Sequence, residues 1–305
     1  MRLAKLSLSL VFVVLSVTPA FAERKPIRVV ATVGMVADTV AAVGGDAVSV
    51  QTLISAGGDP HLYKASPKDV MALATADMIF YNGLLLEGKM AEILAQYSKK
   101  KPALALGEQL AKAELLQPVE FQGHFDPHIW MDVSLWSKTV NPVRDALAKF
   151  DPSRKDIFDR NAEAFILKLE ALHRDVAKLV ASIPREQRVL VTAHDAFNYF
   201  GRAYDIEVRG IQGISTESEA GLKDINSIVD FLVARKIGAV FVESSVSEKN
   251  VMALIEGAKS RGHQVTVGGE LYSDAMGAPG TAEGSYLGMI RHNAELIARG
   301  LGGAK

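Results

Sequence analysis

The chain contains no cysteine among its 305 residues. This absence excludes disulfide bonds, the thiolate ligands of many structural zinc sites and the thiol nucleophiles of cysteine hydrolases. A lipid-anchored secreted protein carries its lipid on a cysteine, so we expect a protein without that kind of tether.

An excess of either charge sign is also missing. Lys and Arg number 34, Asp and Glu number 35, and no basic patch stands out, so nucleic-acid binding is not expected. Beyond the N-terminal segment there is no run of about eighteen apolar residues, so we expect no stable membrane insertion of the mature chain. An apolar content of 49% is enough for one large or two medium cores.

The first residues have the pattern of a secretory signal peptide. Arg2 and Lys5 supply positive charge, Leu6–Val17 is a short apolar run, and Ala20-Phe21-Ala22 offers small residues where a signal peptidase reads. We predict a signal peptide over 1–22, cleavage after Ala22 and export to the periplasm.

Beyond the leader, apolar strands alternate with helical patterns, which predicts an α/β fold with βα units and mainly parallel sheets. The pattern divides into an N-terminal lobe (23–150), a connecting helix (151–184) and a C-terminal lobe (185–305). The predicted strands are 27–33, 48–54, 78–81, 189–192, 207–210, 239–243 and 264–267, and the predicted helices are 36–43, 67–75, 86–97, 197–203, 222–235 and 250–261.

The connecting segment predicts one long rigid helix. Asp151 can cap free backbone amides, Pro152 suits a first turn, and apolar residues recur at helical spacing up to Ile183. About thirty helical residues would span about 45–50 Å. Such a helix makes a stiffer connection between lobes than a polar linker.

Four residues form a candidate metal site: His61, His128, His194 and Asp274. Each lies in a loop or strand end beside an apolar β-type run, and each is more than 60 residues from the next. A local zinc finger keeps its ligands close in sequence, so these residues must be gathered by the whole fold. His194 follows a predicted strand at the sheet edge where α/β proteins bind ligands.

Taken one at a time, these residues also have simpler interpretations. His61 follows a turn-rich Gly-Gly-Asp-Pro loop, where histidines are usually solvated. His128 fits a helix cap beside an aromatic cluster as well as a ligand oriented by Asp126 or Asp132. Asp274 alone is best explained as a turn cap.

Several short motifs occur in one order along the chain, and together they resemble the cluster A-I family of periplasmic solute-binding proteins for zinc and manganese ABC transporters, in particular its TroA-like branch. The resemblance covers essentially the whole mature chain. The motifs are Gly58-Asp59-Pro60-His61, Asp126-Pro127-His128-Ile129-Trp130-Met131-Asp132, Thr192-Ala193-His194-Asp195-Ala196-Phe197, Ile214-Ser215-Thr216-Glu217-Ser218-Glu219, Leu271-Tyr272-Ser273-Asp274, Pro279-Gly280-Thr281 and Gly288-Met289-Ile290-Arg291-His292-Asn293.

The resemblance implies two similar α/β lobes joined by the long helix, with the metal in the cleft between them. His61 and His128 would come from the first lobe, and His194 and Asp274 from the second. It further implies a monomeric transport protein rather than an enzyme, which delivers its metal to a cognate permease and, through it, to an ATPase.

The donor set favours Zn²⁺, with Mn²⁺ as the alternative. Manganese-selective members of the family carry glutamate where His194 stands, whereas three imidazoles and one carboxylate suit zinc. Zinc-specific members often carry a histidine-rich loop before the second ligand, but the segment Gln117–Asp126 contains only His124. We expect His124, His173 and His263 to face solvent and His292 to be structural.

Two other functions compete with transport. A zinc hydrolase needs an open ligand position and a base, for which Glu217, Glu219 or Glu243 would serve, but no His-Glu-x-x-His or Gly-x-Ser-x-Gly motif is present. A metal-binding adhesin is the other alternative, although no repeat or anchor supports it.

Overall fold

The computed structural model describes residues 24–121 and 123–303. The predicted signal peptide over 1–22 and its cleavage after Ala22 lie outside these residues. None of the helices within the described ranges is long and apolar enough to cross a bilayer.

The first lobe is a four-stranded parallel sheet with helices around it. Its strands lie in the order β2-β1-β3-β4, and every pairing is parallel. Its elements are β1 (Ile27–Ala31), α1 (Gly34–Gly44), β2 (Val48–Thr52), α2 (Pro67–Thr75), β3 (Met78–Tyr81), α3 (Ala91–Ser98), β4 (Ala103–Ala105), α4 (Val133–Ser137) and α5 (Val140–Phe150).

Local chemistry fixes several of these elements. Strand β1 is buried at four of its five positions, as expected where helices cover both faces of a parallel sheet. Helix α2 begins with a capping box, in which the side chains of Ser66 and Asp69 bond each other's backbone amides, and Pro67 occupies its first turn.

The long helix α6 (Lys155–Ala181) connects the lobes. It has 27 residues, which corresponds to about 40 Å. This is shorter than predicted, because the chain from Pro152 to Arg154 forms a 3₁₀ turn that Asp151 caps by accepting a hydrogen bond from the backbone of Ser153 at 3.1 Å.

The second lobe contains two parallel strand pairs, β5–β6 and β7–β8, with β5 lying beside β7. Three of its four strands, β5, β6 and β8, extend further at their carboxyl ends than the sequence predicted, and His194 is the last residue of β5. The elements are β5 (Val189–His194), α7 (Asn198–Tyr204), β6 (Glu207–Gln212), α8 (Leu222–Arg235), β7 (Ala239–Glu243), α9 (Lys249–Ser260), β8 (Thr266–Leu271) and α10 (Tyr286–Gly300).

The helix predicted over 86–97 differs from the observed structure. Gly83, Leu84 and Leu85 all have positive φ angles, of 78°, 53° and 66°. The buried carboxylate of Glu87 accepts hydrogen bonds from the backbone amides of Asn82 (2.8 Å) and Gly83 (3.1 Å), which stabilises this turn. The regular helix α3 therefore begins only at Ala91, after a 3₁₀ turn.

One hydrophobic core runs through both lobes. It includes Val29 of β1, Leu169 of α6, Phe200 of α7 and Ile290 of α10. A second, smaller cluster lies within the second lobe, between strands β5 to β7 and helices α8 and α9.

Aromatic side chains join the lobes within the shared core. The ring of Trp136 in the first lobe stacks on that of Tyr286 in α10, with a centroid distance of 5.7 Å. Its indole Nε1 donates to the hydroxyl of Thr39 in α1 at 3.1 Å. A wide separation of the lobes would have to break this packing.

Candidate metal centre

The fold brings all four predicted site residues together. One donor atom from each of His61, His128, His194 and Asp274 lies within 4.8 Å of the others. The loop between β2 and α2 carries His61, and the segment before α4 carries His128. His194 ends β5, and Asp274 lies three residues after β8, so two donors come from each lobe.

The three imidazoles present their Nε2 atoms to the carboxylate of Asp274. The Nε2 atoms of His128 and His194 lie 3.3 Å from Oδ1 and Oδ2 respectively, and that of His61 lies 3.6 Å from Oδ2. The exposed fraction of the side chain is 3% for His61 and zero for the other three. Four convergent donors that are closed from solvent form a group of the number and chemical type that structural zinc sites use.

Unsatisfied polar atoms point to the same chemistry. Both carboxylate oxygens of Asp274 and Nε2 of His194 are buried and have no hydrogen-bond partner within the part of the chain that the structure describes. Leaving such atoms unpaired is costly, and buried polar groups are otherwise nearly always bonded. A cation coordinated between these donors would satisfy them.

His128 is oriented by Asp126. The carboxylate Oδ1 lies 2.8 Å from Nδ1 of the imidazole and also accepts from the backbone amide of His128 at 2.9 Å. Across the lobe boundary, Asn198 donates to the other carboxylate oxygen at 3.1 Å, so the pair is held from two sides. Asp132, the alternative partner in the sequence, instead caps α4.

Glu243 holds His194 in the same way. Its Oε2 lies 2.5 Å from Nδ1 of the ring, and its Oε1 accepts from the backbone amide of His194 at 2.8 Å. A carboxylate that accepts from Nδ1 leaves Nε2 as the donor toward a metal and raises the basicity of the ring. Glu243 was considered from sequence as a hydrolytic base, but this contact makes it a partner of the histidine.

The loop that carries Asp274 is fastened to both lobes. The indole of Trp130 donates to the carbonyl of Ser273 at 2.8 Å. The side-chain amide of Asn293 in α10 bonds both backbone groups of Tyr272, at 2.9 and 2.6 Å. Asp274 is therefore anchored by the backbone next to it.

His61 is supported differently. Its backbone amide donates to Oδ1 of Asp59 at 2.8 Å. Within residues 24–121 and 123–303, no carboxylate reaches Nδ1 of its ring, in contrast to the other two histidines.

The two carboxylate-bound histidines differ from His61 in protonation. Burial by itself lowers the pKa of His128, but Asp126 and Asp274 outweigh it and raise that pKa to about 9. For His194, Glu243 and Asp274 likewise overcome burial and hold the pKa well above its usual value. Burial dominates at His61 and lowers its pKa to about 3. Burial would raise the pKa of Asp274, but the two imidazolium groups keep it well below its ordinary range.

The remaining histidines lie outside this cluster. His124 is exposed and contacts Phe121. The prediction that His173 and His263 face solvent is wrong, because both are half-buried. Their rings lie at hydrogen-bond distance from the Tyr204 hydroxyl (3.1 Å) and the Ile237 carbonyl (2.7 Å), and that of His292 from the Glu270 carbonyl (3.1 Å).

Comparison with known proteins places these features in a family. The family model described as "Zinc-uptake complex component A periplasmic" matches residues 29–300. The manganese-binding lipoprotein MntA of Bacillus subtilis is 46% identical over 275 residues, with 90% of each chain covered. The zinc-binding protein TroA of Treponema pallidum is 45% identical over 282 residues, covering 92% of this chain and 91% of that protein.

Solved structures agree with the sequence comparison. The structure of the Treponema pallidum periplasmic zinc-binding protein TroA superimposes with a TM-score of 0.88 at 44% identity, covering 90% of this chain and 99% of that one. Fe(III)-bound YtgA of Chlamydia trachomatis superimposes with a TM-score of 0.83 at 28% identity, covering 91% and 99%. The α/β fold, with its parallel sheets and long helix, is thus the one the sequence predicted. The chain belongs to the family of periplasmic zinc-uptake complex components, which confirms the resemblance found in its motifs.

Proposed function

We propose that this protein is the solute-binding component of a metal ABC transporter. It captures one divalent cation, Zn²⁺ in preference to Mn²⁺, in the periplasm and delivers it to an inner-membrane permease coupled to an ATPase. The ligands are His61, His128, His194 and Asp274. The observation that carries this proposal is the buried cluster of four donors, three of whose polar atoms have no hydrogen-bond partner among the described residues.

The arrangement favours binding over hydrolysis. A catalytic zinc site keeps one position open for water and places a base beside it. Here the four donor residues are all buried, and the two carboxylates that contact the rings of His128 and His194, those of Asp126 and Glu243, already accept from imidazole groups. Glu217 and Glu219 are exposed. This pattern holds a metal without activating a nucleophile.

Donor chemistry supports zinc. Similar proteins are named for zinc, manganese and iron, so the names of relatives do not select the metal. Three neutral imidazoles and one carboxylate in a four-donor site match the preferences of zinc, whereas manganese prefers harder oxygen donors in higher coordination.

The first test is replacement of His128 with alanine. Because only the folded chain gathers the four donors, bound zinc stabilises the native state according to its affinity. At a zinc concentration about 1,000 times the dissociation constant, wild type gains about 4 kcal/mol in free energy of unfolding, and a variant with roughly 1,000-fold weaker binding gains less than about 0.5 kcal/mol. Differential scanning fluorimetry with and without zinc measures the shift.

The exposed His124 provides the matched control, since His124→Ala removes an imidazole outside the cluster. It should keep the full zinc-dependent shift and one bound ion per chain by elemental analysis. A wild-type shift in the His128→Ala variant would refute the ligand assignment. Cells lacking the protein should regain zinc uptake with the wild-type gene but not with the His128→Ala gene.

A second expectation concerns shape. The shared core, the stacked Trp136–Tyr286 pair and the long helix α6 resist wide hinge motion, so metal binding should change loops more than the angle between lobes. Small-angle scattering with and without zinc should give radii of gyration that agree within about 0.5 Å, a margin near the amplitude of ordinary thermal motion. A compaction of several ångströms would contradict this.

A further inference from the structure

Three of the four proposed ligands are buttressed by buried groups, and one is not. His128 and His194 each rest on a carboxylate, and the Asp274 loop is fixed by Trp130 and by the Asn293 amide. Among residues 24–121 and 123–303, the support that His61 receives from outside the ligand cluster is the bond from its backbone amide to Asp59. The stability of this fourth ligand therefore depends on what holds Asp59.

Asp59 is held from the opposite lobe by Thr216. The Thr216 hydroxyl donates to Oδ2 of Asp59 at 2.5 Å, while Oδ1 of the same carboxylate accepts from the amide of His61 at 2.8 Å. Thr216 lies between β6 and α8 and is only 7% exposed. A continuous line of hydrogen bonds thus runs from the second lobe to the His61 backbone.

We infer that Thr216 is a positioning residue for metal binding, which keeps His61 in the coordination shell by bonding Asp59 across the cleft. This inference rests on the proposed function and adds to it the point at which the site opens. Breaking the Thr216–Asp59 bond frees the loop between β2 and α2, His61 leaves with it, and the metal remains on three ligands. Release to the permease begins with this step.

The hydrogen bond between Thr216 and Asp59 is strong enough to hold the His61 loop in place. A hydroxyl that donates to an ionised carboxylate forms a shorter and stronger hydrogen bond than a neutral pair, and burial strengthens it further. The segment that carries Thr216 is itself fixed, since the Gln212 side chain donates to the carbonyl of Ser218 at 3.1 Å.

A second contact crosses the cleft nearby but contributes differently. Lys89 and Glu217 form an ion pair at 2.5 Å, with side chains 43% and 45% exposed. Exposed pairs of this kind contribute little, because water and salt screen them. Glu217 is adjacent to Thr216 and crosses the same cleft, so it offers a matched control.

The test is the rate at which zinc-loaded protein releases zinc to excess EDTA. Thr216→Val keeps the volume of the side chain but removes the hydroxyl, and it should accelerate release about tenfold, corresponding to about 1.4 kcal/mol. Thr216→Ser restores the hydroxyl and should release within about threefold of wild type. Glu217→Gln should match wild type. Metal-free Thr216→Val should melt in one transition within about 5 °C of wild type, since a single lost hydrogen bond lowers the melting temperature by only a few degrees, and this separates positioning from a general loss of structure.

The double variant Thr216→Val, Asp59→Ala tests whether Thr216 acts on the metal site through Asp59. If Thr216 acts through Asp59, Thr216→Val adds no further acceleration in the Asp59→Ala background. Wild-type release by Thr216→Val, or an undiminished tenfold effect in the Asp59→Ala background, would overturn the inference while leaving the proposed function intact. A wild-type protein that retains no zinc would overturn the proposed function, and this inference with it.

Discussion

Lowering the pH from 8 to 6 is expected to weaken zinc binding by about four powers of ten, because two protons must leave the site for each metal ion that enters. Carboxylate partners keep the pKa of His128 at about 9 and that of His194 well above its usual value. Both rings are therefore imidazolium in the metal-free protein at neutral pH. The Nδ1 protons stay on the two rings, which donate them in hydrogen bonds to Asp126 and Glu243, and the Nε2 protons are the ones the metal replaces.

The direction follows from these pKa values. Protons compete with zinc wherever the pH lies below the pKa of a protonated ligand in the metal-free site, so affinity rises from pH 6 upward, and the rise becomes shallower as the pH passes the pKa of His128 at about 9. The metal-free fold behaves in the opposite way. Because its pKa is raised, protonated His128 stabilises the metal-free fold. This contribution is fully present below about pH 6.5 and is lost as the pH rises through about 9.

Competition with a chelator of known affinity at pH 6, 7 and 8 measures the slope. Calorimetric titration in buffers of different ionisation enthalpy counts the protons directly, and we expect about two per zinc at pH 7. The His124→Ala variant should give the same slope. A slope of one power of ten per pH unit would show that only one of the two imidazoles is protonated in the metal-free site, and a slope near zero would show that both are neutral.

The other large effect is expected from replacing His194 with glutamate, which should lower the preference for zinc over manganese roughly 100-fold. The change exchanges a nitrogen donor for a hard, anionic oxygen donor that can bind in bidentate fashion. It also removes one of the two imidazolium protons, so the acid dependence should become shallower by about one power of ten per pH unit.

The structure adds a requirement to this experiment. Glu243 contacts Nδ1 of His194 at 2.5 Å and bonds its backbone amide, so the introduced carboxylate would face another carboxylate in a buried site. Like charges there favour protonation of one group and oppose metal binding. The double variant His194→Glu, Glu243→Gln removes this repulsion and should show the stronger manganese binding of the two.

Competitive titration of zinc and manganese on wild type, the single variant and the double variant tests this. Elemental analysis after incubation with both ions gives the ratio directly. If all three proteins bind the two metals in the same ratio, residue 194 does not set selectivity.

Sequence patterns located much of this fold because its signals are local. Helices α2 and α8 and strands β3 and β7 have the predicted bounds. A capping box marks the start of α2, and β7 is a short, mainly apolar run between Gly238 and Ser244. Strand β4 was not predicted, since three residues carry too little periodicity. Helix α5 was not predicted either, because it contains Pro142 near its start.

The candidate site was predictable for a related reason. Each of its four residues follows an apolar run, and the carboxyl ends of parallel strands converge at one edge. The contact between Glu243 and His194 was not predictable, because it depends on β5 lying beside β7. These strands are not consecutive in the chain, and their nearest ends are 45 positions apart. The bond from Thr216 to Asp59 has no sequence signal either, since it exists only after the lobes meet.

The core shared by the two lobes also determines how the chain comes apart. Packing residues from β1, α6, α7 and α10 belong to one cluster, so neither half can lose its structure without exposing the apolar face of the other. Cleavage of the backbone between the lobes would give two fragments with large exposed apolar surfaces, which favour aggregation, and not two autonomous domains. Heating should therefore melt the molecule in a single cooperative transition, and an ion held at the cleft protects strands far from its ligands.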